Sequence, residues 1–571
     1  MSYIETYNKW LQSKYLSDEE RAKLALYSEA EREACFYDML EFGTAGLRGK
    51  MGLGTAMMNI YVIRHATQAF ANVILNEGAE IAKKGVVICR DCRNNGREFA
   101  EAAACVMAAN GIPVRIFEDM RPTPELSFAI RHYGCIAGIN VTASHNPKEY
   151  NGYKVYWSDG AQLPPAHAAK IADVMATSDV FEDVKTMDYD EAMSGGLITT
   201  IGRETDDEFL KNVLLQSGKW AHDEIDRDVK IVYTPFHGTG YKLIPEVLRN
   251  IGVKNLYCVE EQMVPDGNFS TVESPNPENP EGFEMAVKLA DKVGADFIIG
   301  SDPDADRVGI MIRGEDGAFV PVIGNLTGVL LLDYVAKILV KKGEMPKSPV
   351  MLKTIVTTEM ARAAAKIHNI ECVDTFTGFK FMAEKKNELE AKGEGKVIFS
   401  YEESYGYMVG DYVRDKDAVT ACMLLCEMVM RYSKLGVSVQ QAIDGLYKKL
   451  GFYKENTLNL YMEGLDGMRA MAALMENMRN NPPAIIAETA VTDVCDYKTG
   501  TKTVLPSGEV SKIELFGSNV LRFALCDDTV ILVRPSGTEP KIKVYILTKG
   551  DSLSGCEEKL TKYTNWANAM K

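Results

Sequence analysis

Short apolar runs alternate with amphipathic, helix-like stretches through most of this chain. Residues 86–91, VVICRD, read as a strand. Residues 97–111, REFAEAAACVMAANG, read as a helix that closes on glycine. IPVRIF is a strand, TPELSFAIRHYG a helix and CIAGINVTA a strand. Strands that alternate with helices in this way imply βαβ units and a parallel sheet. The same grammar returns in VKIVYT, YKLIPEVLRNIG, KNLYCVE, EGFEMAVKLADKVG and ADFIIG. A third series runs PVMLKTIVT, TEMARAAAKIHN, IECVDTF, FKFMAEKKNELEAKG and KVIFSYEE. The three series share architecture and no residue-by-residue repeat. Residues up to Tyr37 have a polar helical pattern, which predicts a surface layer. FGTAGLRG, residues 42–49, follows without a clear period. From about Gly451 the pattern changes to one amphipathic helix, strand-like VLRFALC and TVILVRP, and a terminal helix, as in a smaller α+β domain.

A length of 571 residues predicts about four domains. The pattern places them at residues 1–205, 206–321, 322–450 and 451–571. A composition 46% hydrophobic and 25% charged supplies several cores and argues against global disorder. The formal net charge of −16 makes nucleic acid and anionic membrane surfaces poor partners. A locally basic pocket for a small anion stays compatible with it. The first twenty residues carry charges throughout, unlike a secretory peptide, and no run reaches membrane-spanning length. The twelve cysteines are mostly scattered, as free thiols in a reducing cytoplasm would be. Cys89 and Cys92 form a C-x-x-C pair with no second pair or histidine cluster near. They read as packing thiols at the end of a strand.

Parallel α/β sheets bind ligands at the carboxyl ends of their strands, so the loops there carry the chemistry. After CIAGINV comes Thr142-Ala143-Ser144-His145-Asn146-Pro147. Ser144 is either a nucleophile or part of a capped turn. The hydrolase elbow fails, because Thr142 and Asn146 stand where it needs glycine. Asn151-Gly152-Tyr153-Lys154 returns a lysine to the neighbourhood, though a surface lysine reads the same. After ADFIIGS comes Asp302-Pro303-Asp304-Ala305-Asp306-Arg307. Three alternating carboxylates repel one another unless a cation neutralises them, and hard oxygen ligands suit Mg²⁺. The EF-hand spacing is absent. After KVIFS, Tyr401-Glu402-Glu403-Ser404-Tyr405-Gly406 could bind sugar hydroxyls, do acid/base work or cap a helix. After TVILV, Arg534-Pro535-Ser536-Gly537-Thr538-Glu539-Pro540-Lys541 offers cations, hydroxyls and a close backbone approach. That equipment holds a phosphate, and a plain turn is the alternative. Arg48 adds a cation on the glycine-rich segment. No Walker loop or dinucleotide fingerprint is present. The assembled parts suit phosphoryl transfer.

These four loops, in this order, resemble the α-D-phosphohexomutase superfamily over nearly the whole chain. TASHNP is similar to its phosphoserine loop, DPDADR to its magnesium loop, EESYG to its sugar loop and RPSGTEPK to its phosphate loop. The resemblance implies an α/β protein of four domains around a central cleft. Three would be βαβ-type with mixed sheets and the last α+β. It implies that Ser144 carries the phosphoryl group, with one Mg²⁺ held by Asp302, Asp304, Asp306 and the phosphoserine. Lys154 would be the acid/base group, with Arg48, His145 and Arg307 around the phosphoryl group. Glu402 and Ser404 would hold sugar hydroxyls. Thr377, Gly378 and Lys380 would select sugar orientation. Arg534, Ser536, Gly537, Thr538 and Lys541 would hold the non-reacting phosphate. The implied reaction interconverts glucose 1-phosphate and glucose 6-phosphate, with glucose 1,6-bisphosphate as intermediate and activator. The alternative is a pentomutase acting on ribose or deoxyribose 1-phosphate, with mannose phosphate as a side substrate. A metal-dependent phosphatase and a non-catalytic binding protein are the competing classes. The implied setting is a cytoplasmic monomer or weak dimer whose partners are small sugar phosphates.

Overall fold

The computed structural model describes residues 2–43, 46–461, 464–536 and 541–570, leaving aside the side chains of 464–466. Two compact units divide the chain. One comprises residues 1–327 and 398–436, the other residues 328–397 and 437–571.

In the first unit, six strands form a mixed sheet in the order β1-β5-β4-β2-β3-β6. They are β1 (Leu47–Lys50), β2 (Val86–Arg90), β3 (Val114–Phe117), β4 (Ala137–Val141), β5 (Tyr150–Trp157) and β6 (Ile198–Ile201). Strands β2, β3, β4 and β6 run parallel, while β5 lies antiparallel to both β4 and β1. The sequence pattern implies a parallel sheet. It misses β5 because YNGYKVYW is polar at the very positions that face the chemistry. Strand β4 is buried at all five positions, as a strand covered on both faces must be. Helix Gly96–Ala109 connects β2 to β3 and ends near Gly111, whose φ of 72° lets the chain reverse.

A second sheet has the order β11-β10-β9-β7-β8. Its strands are β7 (Lys230–Thr234), β8 (Asn255–Cys258), β9 (Phe297–Ser301), β10 (Val308–Arg313) and β11 (Phe319–Val322). β7, β8 and β9 are parallel, and β9 turns back into antiparallel β10.

Three helices precede these sheets, Tyr3–Leu11, Asp18–Ala25 and Glu29–Phe36. Each opens on a capping box, Ser2/Glu5, Ser17/Glu20 and Ser28/Glu31. They are more than a polar surface layer. Trp10 is 1% exposed and meets Phe36, Tyr61 and Phe181 at ring-centroid distances of 5.6, 5.6 and 5.1 Å. A few widely spaced aromatics bury enough area to dock helices whose overall pattern is polar.

The second unit holds β12 (Pro349–Thr354) parallel to β13 (Glu371–Thr375). Strand β14 (Lys396–Glu402) ends in the first unit, where it pairs antiparallel with β15 (Gly406–Val409). The tail forms a sheet of the order β16-β23-β22-β21-β18-β19-β20, with β17 beside β18. These strands are β16 (Phe452–Tyr461), β17 (Ile485–Ile486), β18 (Thr489–Asp496), β19 (Thr501–Val504), β20 (Val510–Lys512), β21 (Leu521–Leu525), β22 (Val530–Pro535) and β23 (Lys541–Gly550). Helices Gly464–Asn480 and Leu553–Asn568 flank it. Ile355, Val356 and Phe376 pack into one apolar cluster with Tyr497, Leu532 and Tyr545 of this sheet. The architecture is three α/β domains, each built on its own mixed sheet, followed by a C-terminal sheet domain. Among the described residues, no helix is long and apolar enough to cross a membrane.

Candidate active site

Ser144 sits in the turn that joins β4 to β5, with a left-handed φ of 52°. That conformation is uncommon for a side-chain residue and survives only where its surroundings hold it. The Ser144 N–H donates to Thr142 Oγ1 at 2.9 Å, and Thr142 Oγ1 donates to Asp91 at 2.5 Å. Gly152 on β5 lies directly behind this turn. A Cβ there would come within 2.3 Å of the Thr142 carbonyl oxygen, so only glycine lets the turn pack so closely.

The Asp302–Arg307 loop is the tip of the β9–β10 hairpin. Asp302, Asp304 and Asp306 are fully buried, with one carboxylate oxygen from each within 4.8 Å of the others. Asp302 Oδ1 accepts from the backbone N–H groups of Asp306 and Arg307, each at 3.0 Å. Ser144 Oγ donates to Asp302 Oδ2 at 2.9 Å. Thr123 Oγ1 and Lys154 Nζ donate to Asp304 Oδ2 at 3.0 and 2.7 Å. Asp304 Oδ1 and both oxygens of Asp306 are buried and accept no hydrogen bond. Buried carboxylate oxygens that converge in this way, with Asp306 offset by ion pairs to Lys416 and Lys154, fit a divalent cation with a preference for hard oxygen ligands. Gly238 seats the loop, since a Cβ there would lie 2.4 Å from Pro303 Cα.

The electrostatics follow from burial and crowding. Burial and the neighbouring Asp304 and Asp306 push the Asp302 carboxyl well above the usual range. Burial works against ionisation of Asp304 too, but Lys154, with a hydrogen bond from Asp302 and the charge of Lys416, outweighs it and holds Asp304 below that range. Lys154 is raised in turn, because Asp304 and Asp306 overcome its burial. His145 has its Nδ1 3.2 Å from Ser144 Oγ. Burial and the charges of Arg307 and Arg48 push His145 well below its ordinary value, so the ring is neutral at neutral pH. Arg307 pairs with Glu278 at 2.8 Å, and Arg48 Nη1 donates to Asn146 Oδ1 at 3.0 Å.

The sugar-loop candidate is the turn between β14 and β15, so its carboxylates do not cap a helix. The Val308 N–H donates to the Tyr405 carbonyl at 3.0 Å, and Arg307 bridges to Gly406, which sews this turn to the aspartate loop. Glu402 is buried and Ser404 half-buried. Burial pushes Glu402 up against the pull of Lys416.

In the second unit, Thr377 and Gly378 follow β13, with Gly378 at a φ of 110° leading into helix Phe379–Lys392. Arg534 on β22 donates to Thr377 Oγ1. Ser536 is at the end of β22, and Lys541 opens β23 with its ammonium 5.7 Å from the ring centre of Tyr461. Lys380 is half-buried, and burial lowers its ammonium. Gly537 and Thr538 lie outside the described residues, as do Glu539 and Pro540 of the same loop.

Lys416 and Arg93 are among the residues of the first site that escape the sequence reading. Lys416 stands 3.1 Å from Asp306 and 3.6 Å from Glu402, linking the aspartate and sugar loops. Arg93 lies beneath the Ser144 turn with its side chain wholly buried. Only the charge density of RDKD and of CRDCR hints at either. Cys89 donates to the Arg121 carbonyl at 3.1 Å, and burial raises both Cys89 and Cys92. They behave as packing thiols.

A buried hydroxyl lies beside three clustered carboxylates that could hold a metal ion, on an α/β framework. Three segments match the descriptions "Phosphoglucomutase/phosphomannomutase, alpha/beta/alpha domain I", "domain II" and "domain III", over residues 39–181, 207–315 and 324–450. The chain belongs to this phosphoglucomutase/phosphomannomutase family. It is 35% identical over 536 residues to the phosphoglucomutase of Staphylococcus aureus (strain USA300), covering 93% of this chain and 94% of that protein. Its fold is similar to a putative phosphomannomutase from Thermus thermophilus, with a TM-score of 0.68 at 18% identity over 93% of this chain and 99% of that one. It is also similar to the open form of Paramecium pp63/parafusin, with a TM-score of 0.67 at 19% identity and 94% of each chain covered.

Proposed function

We propose that this chain is a phosphosugar mutase that interconverts glucose 1-phosphate and glucose 6-phosphate through a phosphoserine at Ser144 and glucose 1,6-bisphosphate. The observation that carries the reading is Ser144 Oγ at 2.9 Å from Asp302, within a cluster of three buried carboxylates. Glucose as the sugar rests on the similarity over nearly the full chain to a curated phosphoglucomutase.

Asp302, Asp304 and Asp306 would hold one Mg²⁺, which when bound neutralises charge on the transferring phosphoryl oxygens. Arg48 and Arg307 flank the same oxygens. Transfer breaks the bond between phosphorus and Ser144 Oγ and makes a bond to a sugar hydroxyl oxygen. Lys154 is charged at neutral pH, so it gives a proton to Ser144 Oγ and is replenished from the sugar hydroxyl. Neutral His145 packs beside Oγ without adding a charge. Glu402 and Ser404 orient the sugar hydroxyls, and Thr377, Gly378 and Lys380 select the pose. Arg534, Ser536, Gly537, Thr538 and Lys541 hold the phosphate that does not react. The bisphosphate then exchanges its ends and returns the other phosphate to Ser144.

The test is isomerisation of glucose 1-phosphate with and without Mg²⁺, with inorganic phosphate followed in parallel. A mutase loses turnover to chelator, regains it with Mg²⁺ and releases almost no phosphate. Stoichiometric phosphate release would make the protein a phosphatase.

A further inference from the structure

The Ser144 turn is strained, directs its hydroxyl at the buried aspartate cluster, and contains no regular secondary structure to fix it. One side chain does most of the fixing. The Arg93 guanidinium donates to the carbonyl of Ser144 at 2.7 Å, to those of Pro147 and Tyr150 at 2.8 Å each, and to that of Asn146. It also pairs with Asp91 at 3.3 Å, and Asp91 accepts from Thr142, which accepts the Ser144 N–H. The backbone of Ser144 is thus held at both its N–H and its carbonyl by one connected, buried network. The guanidinium also lies over Phe269, 5.2 Å from the ring centre, in the stretch between β8 and helix Glu284–Val293. Phe269 is itself buried with a φ of 48°.

We propose that Arg93 is a positioning residue for phosphoryl transfer, clamping the backbone of the Ser144 turn so that Oγ is aimed at the site of the transferring phosphoryl group. The inference rests on the reading of Ser144 as the phosphoryl carrier. The physical case is one of donor geometry. A guanidinium presents five N–H groups in a rigid fork and can satisfy several carbonyls at once. A lysine ammonium keeps the charge but has three donors on a flexible stem, so it cannot hold the same carbonyls together. A loss of even about 1 Å in alignment costs on the order of 100-fold in rate. Arg93 does not approach the substrate's reacting atoms in this account, so its loss affects kcat and the rate of serine phosphorylation, and leaves substrate KM nearly untouched.

The experiment compares wild type, Arg93→Lys, Thr142→Val and Ser144→Ala. It measures kcat and KM for isomerisation and, by intact mass, the rate at which added glucose 1,6-bisphosphate phosphorylates the protein. All assays run well below each variant's melting temperature. The expected result for Arg93→Lys is a fall of about 100-fold in kcat and in phosphorylation rate, with KM within about threefold of wild type. Thr142→Val cuts the same network at its other end with an isosteric side chain, and shows the same split. Wild-type kcat in Arg93→Lys and Thr142→Val, whatever their melting temperatures, overturns the proposal and leaves Arg93 a structural residue. A KM effect with unchanged kcat overturns it as well. Full turnover in Ser144→Ala instead overturns the phosphoserine reading itself, a failure distinct from that of the clamp.

Discussion

In the proposed mechanism, Lys154 is the residue on which protonation in the site turns. It is buried against Asp304 and Asp306, at 2.7 and 3.6 Å, and with Asp302 and Lys416 it keeps Asp304 ionised against burial. Lys154→Met therefore removes a proton donor and a counter-charge together. The account predicts a fall in kcat of about 10²–10⁴-fold, measured in the isomerisation assay at saturating Mg²⁺. An unchanged kcat would remove Lys154 from the chemistry. Ser144 and the three aspartates are legible in the sequence because each group follows directly on an apolar strand, where α/β sheets place ligands. Lys416 and Arg93 are not. Lys416 meets Asp306, 110 residues back, and Arg93 meets the carbonyl of Ser144, about 50 residues on, and a lone cation reads the same whether it is buried or solvated. Glu278 is hidden for the same reason, since its partner Arg307 comes 29 residues later.

At the scale of elements, helix Glu359–Ile367 shows what holds the second unit's layers together. Lys353, wholly buried on β12, pairs with Glu359 at 3.0 Å and Asp374 at 3.1 Å, and Arg362 spans the same two carboxylates. Burial works against ionisation of Glu359, but Lys353 and Arg362 outweigh it and hold the carboxyl at about 2, against an ordinary 4.5. A carboxyl lowered by folding contributes its full stability above 4.5 and loses it as the pH falls through 2. Glu359→Gln should cost about 1–2 kcal/mol at pH 7, allowing for solvent screening of a carboxylate about a third exposed. Urea titrations of both proteins at pH 7 and pH 3 would check this. The gap should shrink by more than half at pH 3, and an equal gap at both would contradict the ion-pair account. The N-terminal helices make a second case. Trp10→Ala should destabilise by about 3–5 kcal/mol, visible as a lowered melting temperature, because the ring is buried within an aromatic cluster that its loss would leave with a cavity. Their helical nature is readable from the capping boxes, whereas their docking is not, because an aromatic cluster built from Trp10, Phe36, Tyr61 and Phe181 has no periodicity. Strand β5 escapes the pattern for a related reason. Its positions serve the site as well as the sheet, so Asn151, Gly152 and Lys154 interrupt the apolar run.

Over the whole molecule, the candidate residues fall into two sets in two compact units. Ser144, the aspartate loop, Lys154, Arg48, Arg307 and the Glu402 turn belong to the first, while Thr377, Lys380, Arg534, Ser536 and Lys541 belong to the second. The proposed mechanism assigns the reactive end of the bisphosphate to the first set and the phosphate that does not react to the second. The three α/β series are legible because strand and helix alternate cleanly in each. The C-terminal sheet is legible only as a change of grammar, because its long antiparallel ladders pair residues up to about 100 positions apart. The measurement that tests the central claim most directly is a side-by-side isomerisation assay. It would use glucose 1-phosphate, mannose 1-phosphate and ribose 1-phosphate, with Mg²⁺ and a trace of the matching bisphosphate, and Ser144→Ala as control. The account predicts the largest kcat/KM for glucose 1-phosphate, weaker turnover of mannose 1-phosphate, and no turnover of any sugar by the folded Ser144→Ala protein. Full activity in Ser144→Ala would contradict the phosphoserine mechanism, and a preference for ribose 1-phosphate would contradict the assignment of glucose.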